Sequence, residues 1–154
     1  MSLLEKLEDI KSEMKTRIQT HLGSAAKQVV LGRKDKAYKF KPPLVWVLPE
    51  ASTISPSGAR FIHEDWYLTF WLIGVSFKNN PDEAREEAER LAVKASAALM
   101  KDPITGYQDL TLGDRVHYIK RTGWAPGDTR LIENETLYGA AVQIQIRFET
   151  EEVE

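Results

Sequence analysis

The residues best able to do chemistry are three histidines and the acidic pair that follows one of them. His21, His63 and His117 are far apart, and none has a second histidine three or four positions away, the usual spacing on a zinc-binding helix. In His63-Glu64-Asp65 three possible metal ligands are consecutive, but consecutive side chains point in different directions on a helix or a strand. We therefore expect no metal site, and this triplet is the place where the metal alternative stays open.

The usual sequence signatures of enzymes are missing. The chain has neither a Gly-x-Ser-x-Gly nucleophile turn nor a glycine-rich loop of the kind that holds phosphates. It has no cysteine, which excludes a thiol nucleophile and a thiolate metal site. Its 23 acidic residues make carboxylate pairs unavoidable, so such pairs carry no information without a cleft. The sequence predicts a protein that is not an enzyme and that needs no cofactor.

Basic residues are concentrated between positions 33 and 41, where they alternate with Tyr38 and Phe40. Cationic side chains with interleaved aromatic rings suit a nucleic-acid contact, because they neutralise phosphates and offer stacking faces. The alternative is a solvated strand or loop with the rings turned inward, which we favour for a charge run of this kind. The candidate basic residues, including two later in the chain, are Arg33, Lys34, Lys36, Lys39, Lys41, Lys120 and Arg121.

The composition limits the class of protein. With 21 Lys and Arg against 23 Asp and Glu, the formal net charge of -2 gives no overall attraction to nucleic acid or to acidic membrane. No stretch approaches the roughly 20 apolar residues of a membrane span, and the N-terminus lacks the order of a signal peptide. We expect a soluble, intracellular protein that forms a single domain over residues 1–154.

Two helices are predicted from apolar residues at steps of three and four. The first runs from Ser2 to Leu22, begins with a capping box and ends at Gly23. The second has Asn80 as its N-cap, Pro81 at its first position and acidic residues in its first turn. Its apolar stripe consists mostly of small residues that suit close packing on a sheet: Ala84, Ala88, Leu91, Ala95, Ala98 and Leu99.

The densest apolar run, DWYLTFWLIGVSF from Asp65 to Phe77, is predicted to be the central strand. Both alternating sets of its side chains are mostly apolar, whereas helices on one side of a sheet can cover only one set. We expect one set, Tyr67 to Phe77 or Trp66 to Ser76, to lie under the helices and the other to meet a second sheet layer or a neighbouring subunit. The alternative is that the helices cover both faces and the monomer is self-sufficient.

Further strands are predicted over Leu44 to Leu48, Arg115 to Arg121 and Leu137 to Glu149, the last with the clearest alternation of buried and exposed types. Two segments rich in turn-forming residues predict a long loop or loose hairpin over 49–64 and a hairpin arm over 122–134. The expected fold is α+β, an antiparallel or mixed sheet of about four or more strands against two helices, in the order α-β-β-α-β-β.

This layout resembles the tail terminator and tail-completion proteins of tailed bacteriophages. Three parts carry the resemblance: the amphipathic N-terminal helix, the long apolar strand running into an Asn-Pro-Asp-Glu-Ala helix at Asn80 to Ala84, and the closing strand LYGAAVQIQIRF from Leu137 to Phe148. Together they span most of residues 2–149.

The resemblance implies a subunit of a closed ring, usually a hexamer, in the tail of a virion or of a phage-like particle assembled in the host cytoplasm. Such a ring ends the tail tube, stops its polymerisation and offers a surface to the head or neck. Its partners would be copies of itself, the tail tube protein and the head-tail connector. DNA would pass through the lumen without specific recognition, and no catalytic residue is implied.

Apolar residues on the central strand and on the two segments rich in turns are the candidate interface. They are Phe61, Ile62, Trp66, Trp71, Trp124 and Leu131. More apolar surface than a small monomer keeps exposed indicates a subunit contact. The alternative function is a small α+β ligand-binding or regulatory module that uses the 49–64 and 122–134 segments as the walls of its site.

Overall fold

The computed structural model describes residues 2–32, 41–57, 63–130 and 137–150. Over these ranges the chain forms a mixed six-stranded sheet and two α-helices, so the α+β class is confirmed. The elements in chain order are α1 (Leu3–Leu22), a 3-10 turn (Gly23–Ala25), β1 (Gln28–Leu31), β2 (Leu44–Pro49), β3 (Thr53–Ser57), β4 (His63–Phe77), α2 (Pro81–Leu99), β5 (Tyr118–Arg130) and β6 (Leu137–Thr150).

Both helices begin where the capping signals place them. The Ser2 hydroxyl accepts a hydrogen bond from the Glu5 amide at 3.2 Å, and the Asn80 side chain accepts one from the Asp82 amide at 2.9 Å. Helix α1 ends at Gly23, whose φ of +53° is easily adopted only by a residue without a Cβ. Helix α2 ends at Leu99, four residues before Pro103.

The strands are arranged β1-β2-β4-β6-β5, and β3 pairs with β4 beside β2. Strand β1 runs parallel to β2, and the other pairs are antiparallel. Strand β4 is the centre: β6 pairs with it along almost its whole length, while β2 and β3 share its other edge. The central strand inferred from the apolar run is thus confirmed and extends from His63 to Phe77.

The predicted order α-β-β-α-β-β is wrong because it omits β1 and β3. Strand β1 has only four residues, too few for a visible alternation. Strand β3 has the sequence TISPS, which is typical of a loop, but Pro56 is tolerated in a strand with one unpaired edge. Within segment 49–64, Thr53–Ser57 therefore forms a strand paired antiparallel with β4, and 122–130 is part of β5, paired antiparallel with β6. The rest of the predicted arm, 131–134, lies outside the described residues.

The main core lies between one sheet face and the two helices. The even-numbered set of β4, including Leu68, Phe70 and Leu72, is buried there with Ile10, Met14 and Ile18 of α1 and with the small residues of α2. Gly74 marks the closest approach, because a Cβ at that position would lie 2.1 Å from the Ala88 carbonyl oxygen. Small residues on both elements let α2 lie directly on β4.

The odd-numbered set of β4 lies on the other face and belongs to a second, smaller apolar cluster. Leu44, Val75 and Leu137 are buried in it, whereas Trp71 and Leu48 stay partly exposed at its side. Among the described residues there are two α-helices, both in the main core, and one sheet. Neither helix covers this second face.

Candidate assembly surface

We call the sheet face opposite the helices the open face. It consists of the odd-numbered residues of β4 and β6, with alternate residues of β2 and β5 beside them. Because side chains alternate along a strand and register is shared across neighbours, residues of one type collect into bands. The open face is apolar towards the end of β4 at Phe77 and polar towards the end at His63.

The apolar half contains a shallow groove, which we call the apolar groove. Trp71 and Ile73 of β4 pair with Leu48 and Trp46 of β2 on one side, and Ile73 pairs with Ala141 of β6 on the other. The small residues of β5 and β6 leave a depression beside the larger side chains. It has a volume of about 230 Å³ and is lined by Leu48, Trp71, Ile73, Ala125, Gly139, Ala140 and Ala141.

Side chains with amide and hydroxyl groups lie beside the apolar groove on the open face. Gln143 pairs with Trp71 across β4 and β6, and its amide nitrogen donates to the Glu50 carboxylate at 2.8 Å. Its amide oxygen accepts from the Thr122 hydroxyl at 3.0 Å. Glu50 is therefore held at the rim of the apolar groove by a neighbour that carries no charge.

The polar end of the open face is held by an ion pair. The Arg147 guanidinium donates to the Asp65 carboxylate at 3.1 Å and lies 5.9 Å from the centre of the Tyr67 ring. The hydrogen bond to Asp65 raises the pKa of Arg147. Next to it, Tyr118 donates to the Gln145 side chain at 3.0 Å. These polar and charged groups keep this end of the face hydrophilic.

The His63-Glu64-Asp65 triplet is divided by the alternation of β4. His63 and Asp65 share the open face, and Glu64 belongs to the other set. Glu149 is the nearest carboxylate to two histidines, with His63 Nδ1 at 3.8 Å and His117 Nε2 at 3.9 Å. Both distances exceed a hydrogen bond. Within the described ranges, no group of three His, Asp or Glu side chains is placed to hold a metal ion.

The three described tryptophans of the candidate interface do not come together. Trp71 lies on the open face at the apolar groove. Trp66 lies on the helix face, where its ring stacks on Phe148 with centroids 5.8 Å apart. Trp124 is 49% exposed beside the outer surface of α2, next to Val93. Phe61, Ile62 and Leu131 lie outside the described residues.

The described basic candidates are also dispersed. Lys120 lies on the open face over the Tyr118 ring, 5.3 Å from its centre. Arg121 is on the opposite side of β5 and donates to the Ser96 hydroxyl of α2 at 2.8 Å. Lys41 lies just before β2, across the sheet from both. Arg33, Lys34, Lys36 and Lys39 lie outside the described residues, so the predicted nucleic-acid contact stays a prediction.

The segments proposed as walls of a ligand site are strands over their described parts. Strand β3 lies on one side of β4, and β5 lies beyond β6 on the other. Thr53 is level with Tyr67 and Arg147, whereas residues 123–130 are level with the opposite half of β6. These parts are therefore separated by two strands and do not face each other.

The residues that sequence reasoning missed are the small ones that shape the apolar groove. Ala125, Gly139 and Ala141 carry no functional signal by type. The sequence did indicate that Trp71 and Ile73 share one face of the central strand, because side chains two positions apart on a strand point to the same side. The remaining lining residues depend on strand register, which the sequence alone did not provide.

A mixed β-sheet with both of the described helices on one of its faces makes this chain a small α+β domain. A comparison with protein-family models finds no match, and a comparison with curated proteins finds no significant match. Within the described ranges, neither helix has the length and apolar character needed to cross a membrane.

Proposed function

We propose that this protein is a ring-forming structural subunit, the tail terminator or head-tail completion protein of a tailed phage or phage-like particle. In this role it caps the tail tube and joins it to the head or neck. The order of the helix, the long strand, the Asn80-capped helix and the closing strand supports the resemblance to that family. The partners are further copies of this chain, the tail tube protein and the connector protein.

The observation that carries the proposal is the one-sided coverage of the sheet. Helices α1 and α2 bury the even-numbered set of β4, while the odd-numbered set forms the apolar half of the open face. Burying a side chain such as Trp71 or Leu48 in a contact contributes on the order of 2 kcal/mol. Leu44, Val75 and Leu137 of this half are at most 4% exposed within the single chain, so the apolar surface left for a neighbour is the partly exposed part around Trp71 and Leu48. A neighbour that contacts this part would remove these side chains from water.

The polar half of the open face suits a surface that meets water or a polar partner. Its Arg147–Asp65 ion pair joins opposite charges, and the Tyr118–Gln145 hydrogen bond joins uncharged groups, so together they present no strong net charge. Passage of DNA through a lumen is compatible with the net charge of -2 and with Lys41, Lys120 and Arg121 in separate places. Such a lumen would not read a DNA sequence.

Two measurements test the proposal. Analytical ultracentrifugation across micromolar concentrations should show a species several times heavier than the 17.5 kDa chain. If the free subunits stay monomeric, the measurement is repeated with purified tail tubes added. Electron microscopy of the protein, alone and mixed with tubes, should show rings and capped tube ends. A monomer under both conditions would overturn the proposal and leave a monomeric binding module as the better explanation.

A further inference from the structure

The segment between α2 and β5 contains a loop with several internal hydrogen bonds, Asp102 to Tyr107, which we call the knob. The Asp102 carboxylate accepts from the amides of Ile104 and Thr105 at 2.8 and 2.9 Å. The Asp102 amide donates to the Tyr107 carbonyl at 2.8 Å, and the Thr105 hydroxyl accepts from the Tyr107 amide at 3.2 Å. The base is closed by a bridge between Lys101 and Gln108. The amides of Thr105 and Ile104 also lower the pKa of Asp102, so it stays ionised as the acceptor.

The knob presents apolar side chains to solvent. Ile104 at its tip is 93% exposed and Tyr107 is 77% exposed. A single exposed apolar residue is ordinary on a protein surface. An apolar residue on a loop whose backbone is already ordered is different, because little conformational entropy remains to be lost when it inserts into a partner. The knob therefore has the properties of a preorganised anchor.

We propose that the knob of one copy inserts Ile104 into the apolar groove of a second copy. This inference rests on the proposed self-association and identifies the two surfaces that carry it. The apolar groove, at about 230 Å³, has several times the roughly 30 Å³ that one water occupies, so it has room for the four side-chain carbons of Ile104. Its lining of aliphatic and aromatic side chains matches the chemistry of the tip.

Charge at the two rims is complementary. Lys101 and Arg121 lie beside the knob and line a shallow pocket with Gly106. Glu50 lies at the rim of the apolar groove, held by Gln143. Opposite charges around an apolar anchor favour one orientation of docking and speed up association. Asp102 of the knob is also ionised, but its carboxylate accepts from the amides of Ile104 and Thr105. Lys101 and Arg121 are therefore the charges available to Glu50 of a second copy.

The positions of the two surfaces determine the kind of assembly. The knob follows α2 directly, on the helix side of the sheet, and the apolar groove is on the open face. The knob of one chain therefore cannot enter the groove of the same chain. A two-fold dimer uses the same patch on both subunits, and no single patch contains both the knob and the groove. The contact is heterologous, and a heterologous contact that closes on itself produces a ring.

Cross-linking tests the contact directly, since the chain has no cysteine of its own. We would combine Ile104→Cys with Ala125→Cys, which is at the partly exposed side of the groove, and treat the protein with a short bis-maleimide. The expected result is a ladder of covalent multimers from the double variant, and only a dimer from a mixture of the two single variants. The matched control pairs Ile104→Cys with Val93→Cys on the outer surface of α2, 46% exposed, and should give no ladder.

Charge substitutions provide an independent readout. Ile104→Asp and Ala125→Asp should each weaken self-association by about tenfold or more, because each removes an apolar contact and buries a charge. A mixture of the two retains one intact knob and one intact groove, and should form heterodimers that do not grow. Circular dichroism should show that Ile104→Asp is folded, since its side chain is almost fully exposed.

The outcomes distinguish this inference from the proposed function. If the wild-type protein forms rings while Ile104→Asp forms them equally well and the ladder is missing, the knob contact is overturned and the ring proposal stands. If the wild-type protein remains monomeric alone and with tail tubes, both are overturned. A ladder from the double cysteine variant, together with heterodimers from the mixture of Ile104→Asp and Ala125→Asp, supports both the knob contact and the ring proposal.

Discussion

Arg17 is the most buried charged side chain among the described residues, at 1% exposure. It donates to Glu13 at 2.9 Å and to Asp109 at 2.7 Å, and it also reaches the Leu99 carbonyl at the end of α2. Burial tends to lower the pKa of Arg17, but the hydrogen bonds and charges of Asp109 and Glu13 outweigh burial and raise it. One guanidinium thus joins α1, the end of α2 and the segment that carries the knob.

Asp109 is the partner whose ionisation matters for stability. Burial opposes its charge, but hydrogen bonds from Thr111, Arg17 and Gly113 outweigh burial and hold the pKa of the carboxyl well below its usual value of 3.8. A carboxyl with a depressed pKa in the folded state contributes stability that is complete above its unfolded pKa. That contribution is lost as the pH falls through the folded value.

Asp109→Asn should therefore lower the free energy of unfolding by about 3 kcal/mol at pH 7, because it leaves Arg17 buried beside one carboxylate fewer. The difference from wild type should shrink as the pH falls below about 4, because the carboxyl of Asp109 takes up a proton in the unfolded chain before it does so in the folded protein. The difference is lost once the pH has fallen through the lower folded pKa. Urea unfolding at a series of pH values measures both effects.

Asp114→Asn is the control for that series. Asp114 is exposed on the same segment, and its φ of +63° is tolerated by asparagine. Its substitution should change stability by less than about 0.5 kcal/mol. An Asp109→Asn variant as stable as this control at pH 7 would contradict the role assigned to the Arg17–Asp109 pair.

At the scale of elements, the contact of α2 with β4 depends on the absence of a side chain. A Cβ at Gly74 would lie 2.1 Å from the Ala88 carbonyl oxygen and 2.8 Å from the Ala92 amide nitrogen, both backbone atoms. Backbone of a packed helix cannot move aside without disturbing the main core. Close packing on the sheet was expected from the small residues of α2, and Gly74 is its counterpart on the strand.

Gly74→Ala should lower the free energy of unfolding by about 3 kcal/mol, as overpacking does in a tight core. Gly123→Ala is the matched control, because a Cβ there meets only the Gln143 side chain, at 3.1 Å, and that side chain can shift. Thermal unfolding followed by circular dichroism compares the two. Equal losses for the two variants would argue against the tight helix contact.

The start of α2 is a second test at this scale. Asn80→Ala removes the acceptor of the Asp82 amide and should cost about 1 kcal/mol of stability. The adjacent Asn79→Ala, also exposed, should be close to neutral. Chemical denaturation of both variants measures the difference, and a neutral Asn80→Ala would show that the cap contributes nothing.

The elements that could be predicted from sequence are those whose signal is local. Helices α1 and α2, with their caps, and the long strands β4 and β6 follow from periodicity over many residues. Strands β1 and β3 could not be found in this way, because four or five residues carry little periodicity and their pairing partners are distant or loop-like. Strand β1 forms because it pairs with the edge of β2, and β3 forms because it pairs with the edge of β4.

At the scale of the whole molecule, one sheet has one covered face and one open face. The apolar half of the open face is the surface on which the proposed assembly depends, and its predicted residue Trp71 lies at the apolar groove. Two other predicted interface residues, Trp66 and Trp124, lie on the helix side of the sheet. Trp66 packs on Phe148 there, and Trp124 lies next to Val93, so of the three only Trp71 belongs to the apolar groove.

Trp71→Gln should weaken self-association by about tenfold or more while leaving the monomer folded, because Trp71 is partly exposed in the isolated chain. Val93→Gln on the outer surface of α2 makes a similar apolar-to-polar change away from the groove and should associate like wild type. Sedimentation velocity of the three proteins at matched concentrations measures the change. Association that is indifferent to Trp71→Gln would remove the open face from the assembly.

The sequence by itself determined the two helices, the central strand and the fact that this strand is apolar on both sides, because each of these is written in the spacing of neighbouring residues. The tertiary structure decided which set of side chains the helices cover, where β1 and β3 join the sheet, and that Ala125, Gly139 and Ala141 meet Trp71 around one groove. It also decided that the knob stands on the other side of the sheet from that groove. These features depend on strand register and on contacts between residues distant in the chain, which local patterns do not encode.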